Sequence, residues 1–71
     1  MGTDFIVNYT KQVYSYRDIV KAVNDYLDIC TISVSETPED YVCRFQFPNG
    51  VDPIIILEFS NYLIELNCAD R

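Results

Sequence analysis

A chain of 71 residues with 11 acidic and 5 basic side chains has room for one domain and carries a formal charge of −6, a balance that disfavours phosphate backbones and anionic membrane surfaces. Its apolar share of 49%, with six Tyr and four Phe, belongs to a globular chain and excludes intrinsic disorder. No His is present, which removes the usual nucleophile and base pairings of Ser and Cys enzymes and the commonest metal ligand.

Met1 to Thr10 lacks a basic n-region, a long apolar h-region and a small-residue cleavage site, so no signal peptide is expected and a cytoplasmic location follows as the default. Within it, Asp4 to Thr10 alternates, Phe5, Val7 and Tyr9 against Ile6, Asn8 and Thr10, as a half-buried strand does. Ser15 with Asp18 three residues on reads as a capping box with Tyr14 as its staple residue. The helix it opens runs from Tyr16 to about Asp28, with Tyr16, Ile19, Val20, Val23, Tyr26 and Leu27 on the inner face and Arg17, Asp18, Lys21, Asn24, Asp25 and Asp28 on the outer. Lys21 and Asp25 have the spacing of a surface ion pair.

Near Ile29 the period changes from helix to strand, and Cys30, Ile32 and Val34 alternate with Thr31, Ser33 and Ser35. Thr37-Pro38-Glu39-Asp40 is a turn, proline presetting φ and Asp40 offering a local side-chain hydrogen bond. Tyr41 to Phe47 then closes a hairpin, with Tyr41, Cys43, Phe45 and Phe47 inward and Val42, Arg44 and Gln46 outward. Arg44 is expected alone and solvated on the open face. Pro48-Asn49-Gly50 stops the strand, and Asp52-Pro53 supplies an N-cap and a first-position proline for a last helix reaching Asn67. A competing reading makes Ile54 to Phe59 a fourth strand and only Ser60 to Cys68 helical. The longest apolar run, Ile54 to Leu57, is far below the roughly 20 residues that cross a bilayer.

The three cysteines, Cys30, Cys43 and Cys68, are odd in number and widely spaced, which favours reduced thiols packed as small hydrophobes over a disulfide framework or a metal site. The favoured order is β-α-β-β-α, an α+β, two-layer single domain spanning residues 1–71. With a right-handed first crossover and strand 3 entering between strands 1 and 2, the sheet order is 1-3-2 with both helices on one face, a truncated ferredoxin-like unit.

The last helix carries the main functional hint. Ile55, Ile56, Phe59, Tyr62, Leu63 and Leu66 fill an arc of roughly 120°, enough for a core contact. Beyond a polar strip of Ser60 and Asn67 lies a second cluster of Ile54, Leu57, Ile64 and Cys68, which needs a second layer or another molecule. Leu57 and Ile64, with Ile6 and Asn8 on the open edge of strand 1, are the expected partner-binding residues. Carboxylates lie around a turn (Glu36, Glu39, Asp40) or on a solvated helix face (Asp18, Asp25, Asp28), so no catalytic, cofactor-binding or metal-binding residue is assigned.

Val13-Tyr14-Ser15 leading into Ile19, Lys21-Ala22 and Tyr26, followed by a hairpin and by Glu58-Phe59-Ser60-Asn61-Tyr62-Leu63-Ile64-Glu65-Leu66, resembles the HxsD-like family, small proteins encoded with radical-SAM enzymes in His-Xaa-Ser repeat peptide systems. The likeness spans roughly residues 5 to 67 and differs from the family pattern in its few basic residues and in the proline opening the last helix. It implies an accessory role, binding an enzyme or presenting a peptide to it, with no chemistry of its own. The expected function is therefore a non-enzymatic module that binds a protein, a peptide or a second copy of itself, without nucleic acid or membrane. The alternatives are an acidic decoy for a nucleic-acid-binding surface and a small subunit of a larger enzyme.

Overall fold

The structure, a computed structural model, describes residues 4–48, 50 and 52–69. Asn49, part of the expected strand stop, lies outside the described residues, as do Met1 to Thr3 of the expected leaderless terminus. Five elements follow in order: β1 (Asp4–Thr10), α1 (Tyr16–Asp25), β2 (Thr31–Glu36), β3 (Asp40–Gln46) and α2 (Pro53–Ala69). The strands form one sheet ordered β1-β3-β2, with β3 antiparallel to both neighbours, and the two helices pack against each other and share one core with the sheet. The competing strand at Ile54 to Phe59 does not form; that segment is the first part of α2.

Local signals place these elements. The Asp18 amide donates to Ser15 Oγ at 3.2 Å, capping α1, and the Ile54 amide donates to Asp52 Oδ1 at 3.0 Å, capping α2 ahead of Pro53. In the hairpin turn the side-chain acceptor is Thr37, not Asp40: the Asp40 amide reaches Thr37 Oγ1 at 3.0 Å, and the Thr37 amide reaches the Asp40 carbonyl at 2.9 Å. Gly50 adopts a φ of 104°, in the left-handed region that any side chain would strain.

The register sets the two faces of the sheet. Phe5, Phe45 and Ile32 form one row, and Val7, Cys43 and Val34 the next, all towards the helices. Phe45, Phe59, Ile19, Leu63 and Cys43 are fully buried. Phe59 sits at the centre, its ring 5.1 Å from that of Phe45, 5.3 Å from Tyr26 and 6.0 Å from Tyr9. Across the far end of the sheet, Lys11 Nζ reaches Glu36 at 2.9 Å and lies over the Tyr41 ring.

Two expectations for α1 are corrected. The helix ends at Asp25, short of Asp28, because the Ile29 and Cys30 amides bond back to the Tyr26 carbonyl at 3.0 and 3.2 Å in a turn that brings Cys30 into the core. Its inner face is rotated by about 90° towards Asp18, Ile19 and Ala22, which are buried, with Val23 and Tyr26 half-buried. Tyr16, Val20 and Leu27, expected inside, are exposed. Ala22 is the physical reason: it is fully buried on the packed face, and its methyl group carries too little hydrophobic weight to mark that face in the sequence. On the open face of the sheet Arg44 is not alone. Its guanidinium pairs with Asp4, with Nε 2.7 Å from Oδ2.

Candidate functional site

α2 can be followed strip by strip around its circumference. On one side, Tyr62 packs on Tyr26 of the α1 exit, ring to ring at 6.1 Å, and donates its hydroxyl to Asp25. The helix floor is Ile56, Phe59 and Leu63, Phe59 standing on Phe45 of the central strand. Ser60 comes next, and its Oγ is 2.8 Å from the hydroxyl of Tyr9 in β1. Each step around the helix is thus a step across the sheet, from α1 to β3 to β1. The following strip holds Leu57 and Ile64, 61% and 48% exposed, with Ile54 and Cys68 exposed above them. Cys68 therefore departs from the expected packing role, while Cys30 and Cys43 keep it.

β1 is an edge strand, paired with β3 on one side only. Ile6 and Asn8 are exposed on it, in the register of Arg44 and Val42, and point to the sheet face away from the helices. The four expected residues therefore make two pairs. Leu57 and Ile64 share one flank of α2, Ile6 and Asn8 share the outer face of β1, and the backbone edge of β1 runs between the pairs. Phe5 was missed by sequence reasoning, which groups it with Val7 and Tyr9 on one face of the strand. It stands on the inner face but is 43% exposed, while its row partners Phe45 and Ile32 are buried at 0% and 7%. The available signal was its position near the start of an edge strand, where cover comes from one side only.

Electrostatically the outer face of the surface carries the Asp4 and Arg44 ion pair, and Glu58 and Glu65 lie on the side of α2 towards Tyr26. Among the described residues, β1 and α2 together contain Asp4, Glu58 and Glu65 and no Lys or Arg. Burial, with smaller contributions from Glu58 and Glu65, raises the Tyr26 hydroxyl above its ordinary value. The Tyr62 hydroxyl donated to Asp25 is the main cause that holds that carboxyl below the usual range, with Lys21 at 3.4 Å adding to it. Tyr9 is pushed up to about 12 and Cys43 to about 11, each chiefly by burial.

A cleft of about 640 Å³ lies elsewhere, between the start of α1 and the end of α2, lined by Lys11, Tyr14, Arg17, Asp18, Tyr41 and Asn67 among others. It is shallow and mixes both signs of charge. Among the described residues no group of three or more His, Cys, Asp or Glu could hold a metal ion, and no helix is long and apolar enough to cross a membrane. Comparison with protein-family models, curated proteins and solved structures finds no match for this chain.

Proposed function

We propose that this chain is a non-enzymatic protein- or peptide-binding accessory module of the cytoplasm, and that it engages its partner through the α2 flank and the β1 edge together. The observation that supports this reading is the exposed strip of Leu57 and Ile64 running beside an unpaired strand. Magnitude argues for joint use. Burying Leu57 and Ile64 contributes about 1.5–3 kcal/mol each, against a cost of roughly 4–15 kcal/mol for association, so a stable complex needs the strand edge as well. The resemblance to the HxsD-like family makes a radical-SAM peptide-modifying enzyme the partner class to try first.

The net charge of −6 favours a second reading, an acidic decoy covering a basic nucleic-acid-binding surface. Salt separates the two, since exposed charge contacts are screened and apolar burial is not. Pull-down of a purified radical-SAM peptide-modifying enzyme between about 0.05 and 0.5 M salt is expected to show capture that persists at high salt and is lost in Leu57→Asp with Ile64→Asp. Capture that collapses with salt and survives the double substitution would favour the decoy.

A further inference from the structure

We propose that the exposed flank of α1 is a dimer seam, covered by the α1 of a second copy of this chain in antiparallel order. The seam is separate from the α2 flank and the β1 edge.

Among the described residues, the large apolar side chains left exposed fall into two groups. Phe5, Ile6, Ile54, Leu57 and Ile64 belong to β1 and α2, the surface described above. Val13, Tyr16, Val20, Leu27 and Ile29 lie on α1 and beyond its two ends. The burial of Asp18, Ile19 and Ala22 turns α1 so that this second group stands beside the packed face and outside it. Tyr16 leans on Tyr41 at 5.8 Å, yet it remains 58% exposed, with Val20 at 40% and Leu27 at 57%.

Spacing selects a helix as the occupant. Tyr16, Val20, half-buried Val23 and Leu27 recur at intervals of four, three and four, the narrow seam of a helix that pairs with another helix. Leu27 comes just after α1, in a tight turn where its amide reaches the Asn24 carbonyl at 3.4 Å. The intervals read the same from either end, so the seam matches its own reverse. Tyr16 then meets Leu27 of the second copy, and Val20 meets its Val23, as a twofold interface requires.

Charge selects the copy and its direction. The charges of α1 run against its own dipole. Arg17 stands in the first turn, where the helix end is positive, while Asp18, the acidic residue of that turn, is buried. Asp25 and Asp28 stand at the negative end, and the last turn holds no basic residue. Lys21 and Tyr62 engage Asp25 on the α2 side, so Asp28 is the acidic group at that end beside Leu27. An antiparallel copy brings Arg17 of each chain within a turn of Asp28 of the other, and sets both at helix ends of the favourable sign. A parallel copy would put Arg17 on Arg17 and Asp28 on Asp28, which repels.

Sedimentation of the full chain from micromolar to millimolar concentration is the test, and a monomer–dimer equilibrium is expected. Val20→Glu should weaken dimerisation at least about tenfold, whereas Leu57→Asp with Ile64→Asp should leave it unchanged. Arg17→Glu and Asp28→Arg, each alone, set like charges together and should dimerise at least about tenfold more weakly. Mixed in equal amounts, those two variants restore both ion pairs and should recover the parent affinity as a heterodimer. The seam is surface in the monomer, so each variant should melt within a few degrees of the parent at dilutions where the parent is monomeric. A dimer that survives Val20→Glu, a dimer lost in the Leu57 and Ile64 variant, or a mixture no tighter than its parts would each overturn the proposal. A chain that stays monomeric at every concentration would overturn it too, and would pass the seam to a helix of another protein.

Discussion

Phe59 meets three aromatic rings, from β1, α1 and β3, and is fully buried among them. Phe59→Ala removes all three contacts and is expected to cost about 3–5 kcal/mol, a large share of the stability of a small domain. Denaturant unfolding checks this, and an unchanged midpoint would show that the ring is not central. Tyr9 and Cys43 give the fold an alkaline limit. Each is held neutral by burial, so its contribution is fully present below its ordinary value, 10.0 for Tyr9 and 9.0 for Cys43, and is lost as pH rises through about 12 and about 11. Stability should therefore fall from about pH 9 upward, and in Cys43→Ala the decline should start later, from the Tyr9 range; melting curves at stepped pH measure both. At this scale the sequence was readable where the partner is local, as with Ser15 and the Asp18 amide. It was opaque where the partner is distant: Arg44 finds Asp4 forty residues away only because β1 and β3 are adjacent.

Among the elements, α1 shows how a hydrophobic wheel misleads. Summing apolar side chains turns the helix towards Tyr16, Val20 and Leu27, whereas packing turns it towards Ala22, whose side chain is completely buried. Ala22→Leu adds bulk to this close contact and is expected to destabilise by about 1–3 kcal/mol, while Leu27→Lys, at a position 57% exposed, should stay within about 0.5 kcal/mol. Chemical denaturation of the two variants checks the face; the reverse ranking would restore the wheel's orientation. For α2, the cap and proline were legible but left the strand reading open, and the structure bears out the helix they open.

For the whole molecule, the sheet order followed from the sequence because a β-α-β unit and a short hairpin leave few arrangements that keep every apolar face inside. The candidate surface was legible only in part. The excess on α2 could be counted on a wheel, but Leu57 with Ile64 and Ile6 with Asn8 could not be placed on either side of the β1 edge without the register, nor could Phe5 be seen as half-covered. The central claim is that the α2 flank is surface built for a partner and is not core. Thermal unfolding of Leu57→Asp with Ile64→Asp tests it most directly. The account predicts a folded, cooperative protein melting within a few degrees of the parent, about the change expected of exposed positions; an unfolded double variant would place both residues in the core and contradict it.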